Sequence, residues 1–136
     1  MSRITSITIT NTSCGLCSTE EILRHITTVY RTGKIKHSLY NGLSATAVKE
    51  YGYNVDKQQC EAFFIFLSEE VKIDGWMNDY SVPVCDGWSW SMLVRYSDHS
   101  VKKICGTVEP PPNGETIEKT IRKLVRFKKK AWLFSG

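Results

Sequence analysis

Large apolar or aromatic side chains alternate with mostly polar ones along Trp88–Tyr96, WSWSMLVRY. Two tryptophans, a methionine, a valine and a tyrosine fill every second position, which is the period of a β-strand and not of a helix. The stretch 97–100, SDHS, predicts a turn, and 101–108 predicts the partner strand. We therefore expect a hairpin with one face toward a core. Trp88 and Tyr96, near the strand ends, remain possible aromatic contacts for a ligand.

The first part of the chain predicts three more strands. RITSITITNT, rich in isoleucine and threonine, is typical of a strand. EILRHITTVYRTGKIKHSLYNG predicts a hairpin, with one strand up to Tyr30, a turn at 31–34 and a second strand at 35–40. A tyrosine precedes the turn in this hairpin and in the later one. The patterns of 43–55 and of the linker after 75 predict no element.

Two helices follow from a period of 3.6 residues. Asp56 and Gln59 have the spacing of a capping box, and the helix they begin should end near Val71. Its apolar stripe is Cys60, Phe63, Phe64, Leu67 and Val71. Asn113 predicts the N-cap of a last helix. The apolar stripe of that helix is Ile117, Ile121, Leu124 and Val125.

The order β, ββ, α, ββ, α predicts an α+β fold with a mainly antiparallel sheet of about five strands and two helices on one face. A length of 136 residues and 41% hydrophobic content suit one domain, 1–136, with 131–136 as a short C-terminal tail. No apolar run approaches the roughly 18 residues of a membrane helix, and the N-terminus lacks the apolar core of a signal peptide. We expect a cytoplasmic protein without a membrane partner.

The net charge of +4 is concentrated in one segment. Residues 115–130 contain seven basic and two acidic residues, which leaves 11 basic and 12 acidic residues elsewhere. On a helix, five of these bases form a row, at Lys119, Arg122, Lys123, Arg126 and Lys130. The row predicts contact with an acidic protein surface or with the phosphates of a nucleic acid. Trp132, Leu133 and Phe134 of the tail should dock on the domain or bind a partner, and we assign Trp132 and Phe134 to the same contact surface.

Cys14-Gly-Leu-Cys17 has the spacing of half a zinc site, which His25 and His37 could complete. A two-residue turn at 32–33 would place the two histidines on opposite sides of the hairpin. We therefore predict no metal ion, although a structural domain with a cysteine-based metal site stays an alternative. Five cysteines spread over different elements favour reduced and mostly buried thiols.

Cys105, His99 and Asp98 are the closest match to a nucleophile with a base and a carboxylate. A two-residue turn at 98–99 would place Cys105 opposite Met92, far from that turn, and Lys103 on the core side. No phosphate-binding glycine loop and no catalytic carboxylate pair is present. We predict a protein that is not an enzyme and has no cofactor.

The second half of the chain resembles small uncharacterised proteins of Firmicutes and their mobile elements. The shared pattern is a helix, DGW, a strand that begins DG-aromatic-Ser-aromatic, a D-G-type turn, a strand ending in glycine, proline and a last helix. The matching residues are Asp74-Gly75-Trp76, Asp86 to Ser91, Ser97 to His99, Gly106, Pro110 to Pro112 and Ile117 to Leu124. His99 stands where glycine is usual. By analogy, the resemblance implies an inhibitor or an anti-defence (anti-CRISPR-like) accessory protein.

Overall fold

A computed structural model of the chain describes residues 3–13, 22–41, 46–81, 88–107, 109–129 and 131–134. The strands are β1 Ile4–Ser13, β2 Ile22–Tyr30, β3 Lys34–Asn41, β4 Lys49–Asn54, β5 Asp79–Tyr80, β6 Trp88–Tyr96 and β7 Val101–Thr107. The helices are α1 Lys57–Phe66, continued by a π-helical turn at Leu67–Val71, and α2 Gly114–Leu124, with a 3₁₀ turn at Ile73–Gly75. No helix among these residues is both long and apolar enough to cross a membrane.

The described strands form one mixed sheet in the order β4-β3-β2-β1-β6-β7-β5. All neighbours are antiparallel except β5, which is parallel to β7. The predicted sheet of about five antiparallel strands is therefore wrong, although the α+β class is correct. Two edge strands were missed. KEYGYN in β4 contains a glycine and only two aromatic positions, and the two residues of β5 are too few for a period.

Both predicted hairpins form, but each loop contains three residues and not two. The amide of Gly33 donates to the carbonyl of Tyr30 over 3.0 Å, and the amide of His99 donates to that of Tyr96 over 3.0 Å. Gly33 and His99 each close their loop with a positive φ, of 102° and 71° respectively. A left-handed third residue is characteristic of three-residue hairpin loops.

The extra loop residue shifts each hairpin register by one position. His37 lies opposite Thr27, and Lys103 lies opposite Leu93. Since side chains alternate between the two sides of a sheet, a shift of one residue changes which side chains share a side. The predicted positions of His37 and Lys103 are therefore wrong. His25 and His37 lie on the same side, and Lys103 points away from the core.

Both helices pack on one side of the sheet, which we call the covered face. Buried residues from the sheet and from both helices form one cluster. Its sheet members include Ile7, Ile9, Val29, Ile35, Trp90, Met92 and Val94, and its helix members include Phe63, Phe64, Leu67, Ile117 and Ile121. Trp90 and Met92 are each 1% exposed, so the alternate large residues of β6 form an inner face as predicted.

The two helices begin differently. Oδ1 of Asp56 accepts the amides of Gln58 and Gln59 over 2.8 and 3.0 Å, so the predicted cap of α1 is confirmed. All five members of the predicted α1 stripe are buried. Asn113 does occupy the N-cap position of α2, but its φ is 60° and its side chain makes no capping hydrogen bond.

Candidate functional site

The described chain after α2 lies on the covered face; we call residues 125–129 and 131–134 the C-terminal segment. The ring of Phe127 contacts His37 and Tyr53 edge-on, with centroid distances of 5.4 and 5.6 Å. The amide of Lys128 donates to the Tyr53 hydroxyl over 2.9 Å. These contacts fix the start of the segment against β3 and β4.

The end of the segment is held more firmly. Trp132 stacks on His25 with a centroid distance of 4.2 Å, and its amide donates to His25 Nδ1 over 3.1 Å. The side-chain Nδ2 of Asn11 donates to the carbonyl of Leu133 over 2.9 Å. Phe134 is fully buried. Its side chain therefore belongs to the core and not to an exposed contact surface as predicted, while Trp132 is half-buried.

Both residues that we named as possible aromatic contacts serve the fold. Trp88 Nε1 donates to the carbonyl of Phe134 over 2.8 Å, which anchors the end of the chain. The hydroxyl of Tyr96 donates to Asp74 Oδ1. Burial and this bond to Asp74 raise the pKa of Tyr96 above its usual range. Each ring is half-buried, so both would offer a ligand only one edge.

Arg122 links the C-terminal segment to α2. Its Nη2 donates to the carbonyl of Ala131 over 2.8 Å and lies 3.7 Å from Glu118 Oε2. Glu118 Oε1 in turn accepts the amide of Phe134 over 2.6 Å. Arg122 is half-buried and its guanidinium is bound within the molecule, so it holds the C-terminal segment against α2, and its predicted contact with a partner or with phosphate stays a prediction.

The predicted row of five bases does not continue along one helix. Lys119 is exposed and lies 3.4 Å from Glu115, and Lys123 is exposed near the end of α2. The helix ends at Leu124 because Val125 is extended. Arg126 therefore lies beyond the helix, and Lys130 lies outside the described residues.

Three cations project from the anchored segment, and we call Arg126, Lys128 and Lys129 the cationic loop. All three are exposed. Within the described ranges, none of them and no atom of Lys123 forms an ion pair with a carboxylate. Lys128 and Lys129 thus lie between the aromatic contacts of Phe127 and those of Trp132, and Arg126 directly precedes Phe127.

Beneath the segment, two histidines form a buried pair. His25 Nδ1 lies 3.0 Å from His37 Nε2, and the two side chains are 1% and 0% exposed. The backbone amide of Trp132 can only donate, so His25 Nδ1 accepts and the proton shared by the pair comes from His37 Nε2. His25 is then protonated on Nε2, and both rings are neutral.

The surroundings of the pair oppose protonation. Burial, His37 and Lys129 lower the pKa of His25 to about 3. Burial, Arg122 and Lys129 lower the pKa of His37 to about 4. Among the described residues, His25 Nε2 and His37 Nδ1 have no hydrogen-bond partner. The pair is thus a neutral polar element in the buried layer, where Asn11 and Thr27 are the neighbouring polar residues.

The histidines do not complete a metal site among the described residues. No group of three potential ligands is present there. The lone pair of His25 Nδ1 is used by the amide of Trp132, and a bound cation would be repelled by that donor. Cys14 and Cys17, the other half of the hypothesis, lie outside the described residues, as does Cys85.

The candidate nucleophile Cys105 lies far from His99 and Asp98, as predicted, although the register of β6 and β7 differs from the predicted one. Cys105 lies opposite Ser91 on the side away from the helices, and it is exposed and not buried as we expected. His99 and Asp98 lie in the hairpin loop, six and seven residues before Cys105 in the sequence. Although Cys105 is exposed, partial desolvation of its thiol and the nearby Asp79 carboxylate raise its pKa, which disfavours the reactive thiolate.

The opposite side of the sheet, the outer face, contains cations that the sequence analysis missed. No helix of the described chain packs on it. One cross-strand row there contains Gly52, Lys36, Thr28, Thr8, Leu93 and Lys103. The next row, toward the hairpin loops, contains Asn54, Lys34, Tyr30, Ser6, Arg95 and Val101. We call Lys34, Lys36, Arg95 and Lys103 the basic track.

The signal for this track was present in the sequence. Lys34 and Lys36 alternate with the apolar Ile35, and Arg95 lies between two core residues. Outside residues 115–130 the acidic residues balance the basic ones, so a count of net charge by segment did not reveal the basic track. The predicted two-residue loop also placed Lys103 on the wrong side.

A comparison with models of known protein families gives no match, and a comparison with curated protein sequences gives none either. The resemblance of the second half to small Firmicute proteins therefore stays a prediction. Function must be argued from the surfaces described above.

Proposed function

We propose that the chain is a non-enzymatic binding module that presents the cationic loop and Lys123 to an acidic surface of a protein partner. The observation that supports this is the anchoring of the loop. Phe127 and Trp132 pack on the covered face on either side of Lys128 and Lys129. The backbone of the loop is thus ordered before any partner arrives, which reduces the entropy lost on binding.

Fixed cations also favour a specific partner. Unpaired charges at defined positions accelerate association with a complementary surface and penalise partners of the same sign. A module of this kind acts by covering an acidic site of its partner, so an inhibitor or anti-defence accessory is the role we propose. Binding of nucleic acid by the same residues is the alternative.

Zero-length carbodiimide cross-linking tests the proposal, since it joins lysine amines to carboxylates that are in contact. The full-length protein is cross-linked in an extract of cells that express it, and the joined peptides are identified by mass spectrometry. We expect cross-links from Lys123, Lys128 and Lys129 to acidic residues of one recurring protein. Cross-links spread evenly over the exposed lysines of the chain would contradict the proposal.

Charge reversal then tests the partner that is found. The variant K123E/R126E/K128E should lose binding, whereas Lys119→Glu, an exposed lysine on the same helix, should not. Arg122 is left unchanged, because its replacement would release the C-terminal segment. If the triple variant binds as tightly as the unmodified chain, the cationic loop is not the contact surface. If a labelled RNA or DNA competes with the partner for the loop, the alternative is favoured.

A further inference from the structure

The basic track lies on the outer face in two parallel rows. Lys36 on β3 and Lys103 on β7 are four strands apart, which corresponds to about 19 Å at about 4.8 Å per strand. Lys34 and Arg95 lie two residues nearer the hairpin loops, about 7 Å away. The four described side chains are exposed, and only Lys36 has an ion pair within the described chain, 3.4 Å from Glu50.

Between the cations the surface is mixed in polarity. Thr8 and Thr28 share a hydrogen bond of 3.1 Å across β1 and β2, and Leu93 lies beside them. Tyr30, 38% exposed, stands between the positions of Lys34 and Arg95. The centre of the track thus offers hydroxyl groups, an aliphatic side chain and one aromatic ring.

Two hollows flank this centre. A groove of 660 Å³ opens beside Gly52, whose missing side chain leaves space next to Lys36 and Tyr30. A second hollow of 440 Å³ lies between Thr8, Leu93 and Lys103. Each hollow therefore has a lysine at its rim and a hydroxyl or aromatic group in its wall.

We infer that the outer face binds single-stranded nucleic acid, with the basic track contacting phosphates and the two hollows receiving bases. Paired rows of cations match a phosphodiester backbone, and an exposed aromatic beside them can stack on an unpaired base. A second copy of the chain is disfavoured because its own track would present the same charge. This surface lies on the side of the sheet opposite the cationic loop, so the inference is independent of the proposed function.

Fluorescence anisotropy tests the inference with the full-length protein and fluorescein-labelled dT12 and U12. We expect binding at low salt that weakens as salt increases, with a slope near −3 for four phosphate contacts at about −0.7 each. Absence of binding to both probes at 50 mM salt would overturn the inference.

Variants assign the binding to the track. K36Q/K103Q should weaken dT12 binding by about tenfold, since it removes two phosphate contacts. Glu50→Gln should strengthen binding, because it frees Lys36. Tyr30→Ala should weaken binding several-fold through the loss of stacking. K123Q/K128Q removes the same charge from the cationic loop and compares the two surfaces, and the matched control is K57Q/K119Q, two exposed lysines that belong to neither surface.

The outcomes separate the two surfaces. If K123Q/K128Q weakens dT12 binding and K36Q/K103Q does not, the track proposal is wrong and the cationic loop is the phosphate site. If labelled poly-L-glutamate binds as tightly as dT12 and loses affinity in K36Q/K103Q, the track recognises acidic polypeptides and not nucleic acid. Urea unfolding of each variant verifies that the fold is kept, and the single substitutions replace any pair that unfolds.

Discussion

His25 Nδ1 lies 3.0 Å from His37 Nε2 in a layer from which solvent is excluded. The contact joins neighbouring strands β2 and β3, and Trp132 of the C-terminal segment covers it. Only a pair with a single shared proton satisfies this arrangement, because two protonated rings would repel each other. The docking of the segment is therefore linked to the neutral state of both histidines.

Because His25 and His37 are buried as neutral side chains, we expect the folded protein to lose stability on moderate acidification. The folded pKa values are about 3 for His25 and about 4 for His37, against about 6.5 in an unfolded chain. Below about pH 6.5 the unfolded state binds more protons, so the free energy of unfolding decreases as pH falls. Each histidine contributes a slope of up to about 1.4 kcal/mol per pH unit, until the pH reaches its folded pKa.

Urea unfolding between pH 7 and pH 5 measures this slope in a range where most carboxylates stay ionised. His37→Gln removes one of the two titrating groups and should reduce the slope by about half. A free energy of unfolding that is constant from pH 7 to pH 5 would show that the pair is not neutral and buried in the folded protein.

The ring of Trp90 leaves no space for a side chain at Gly106. A Cβ atom at Gly106 would lie 2.6 Å from two carbons of the Trp90 ring, and the ring nitrogen is held by the carbonyl of Glu109 over 2.7 Å. Gly106→Ala should lower the free energy of unfolding by about 1–3 kcal/mol.

At Gly52, also in a strand, an added Cβ meets no atom within 4 Å. Gly52→Ala should be neutral or stabilising by up to about 1 kcal/mol. Thermal and urea unfolding of both variants compare the two sites, and equal effects would contradict the close contact.

The left-handed backbone of His99 predicts a stabilising substitution. A φ of 71° is unfavourable for a residue with a side chain and is readily adopted by glycine. His99→Gly should raise the free energy of unfolding by about 1 kcal/mol. Ser97→Gly in the same loop should lower it, because φ is not positive there and the unfolded chain gains freedom. A lower melting temperature for His99→Gly would contradict the loop geometry.

The two ion pairs of α2 should differ in their effect on stability. Arg122→Ala removes the hydrogen bond to Ala131 that clasps the C-terminal segment, and it should cost about 1–3 kcal/mol. Lys119→Ala removes the same charge from an exposed pair with Glu115 and should change stability by less than about 0.5 kcal/mol. Limited proteolysis followed by mass spectrometry should show faster cleavage after residue 125 in the first variant only. Similar cleavage in both variants would mean that Arg122 does not hold the segment.

Periodicity predicted the elements whose residues are buried on one side. The cap at Asp56 and the alternation in WSWSMLVRY both depend on near neighbours in the chain, and both predictions are confirmed. Register depends on loop length, however, and the sequences around Gly33 and His99 are compatible with two- or three-residue loops. The error of one residue separated His25 from His37 and moved Lys103 to the wrong face.

The candidate site was harder to predict than the fold. A row of cations does not reveal which of them bind within the molecule, and the acceptor of Arg122 is the backbone carbonyl of Ala131, which any residue has. Likewise, an aromatic residue such as Phe134 is typical of a binding hot spot on a protein surface, yet Phe134 is fully buried. Such assignments require the three-dimensional path of the chain after α2.

The central position of β1 determines the order in which the sheet can be completed during synthesis. β1 is made before the other six described strands, and it pairs with β2, which follows it in the sequence. Its other edge pairs with β6, which ends at residue 96, so that edge stays open until residues 88–96 have been translated. A nascent chain thus exposes an isoleucine- and threonine-rich edge that can pair with other strands, and closing it is a long-range and slow step. Aggregation during expression should therefore be controlled by the arrival of WSWSMLVRY at β1.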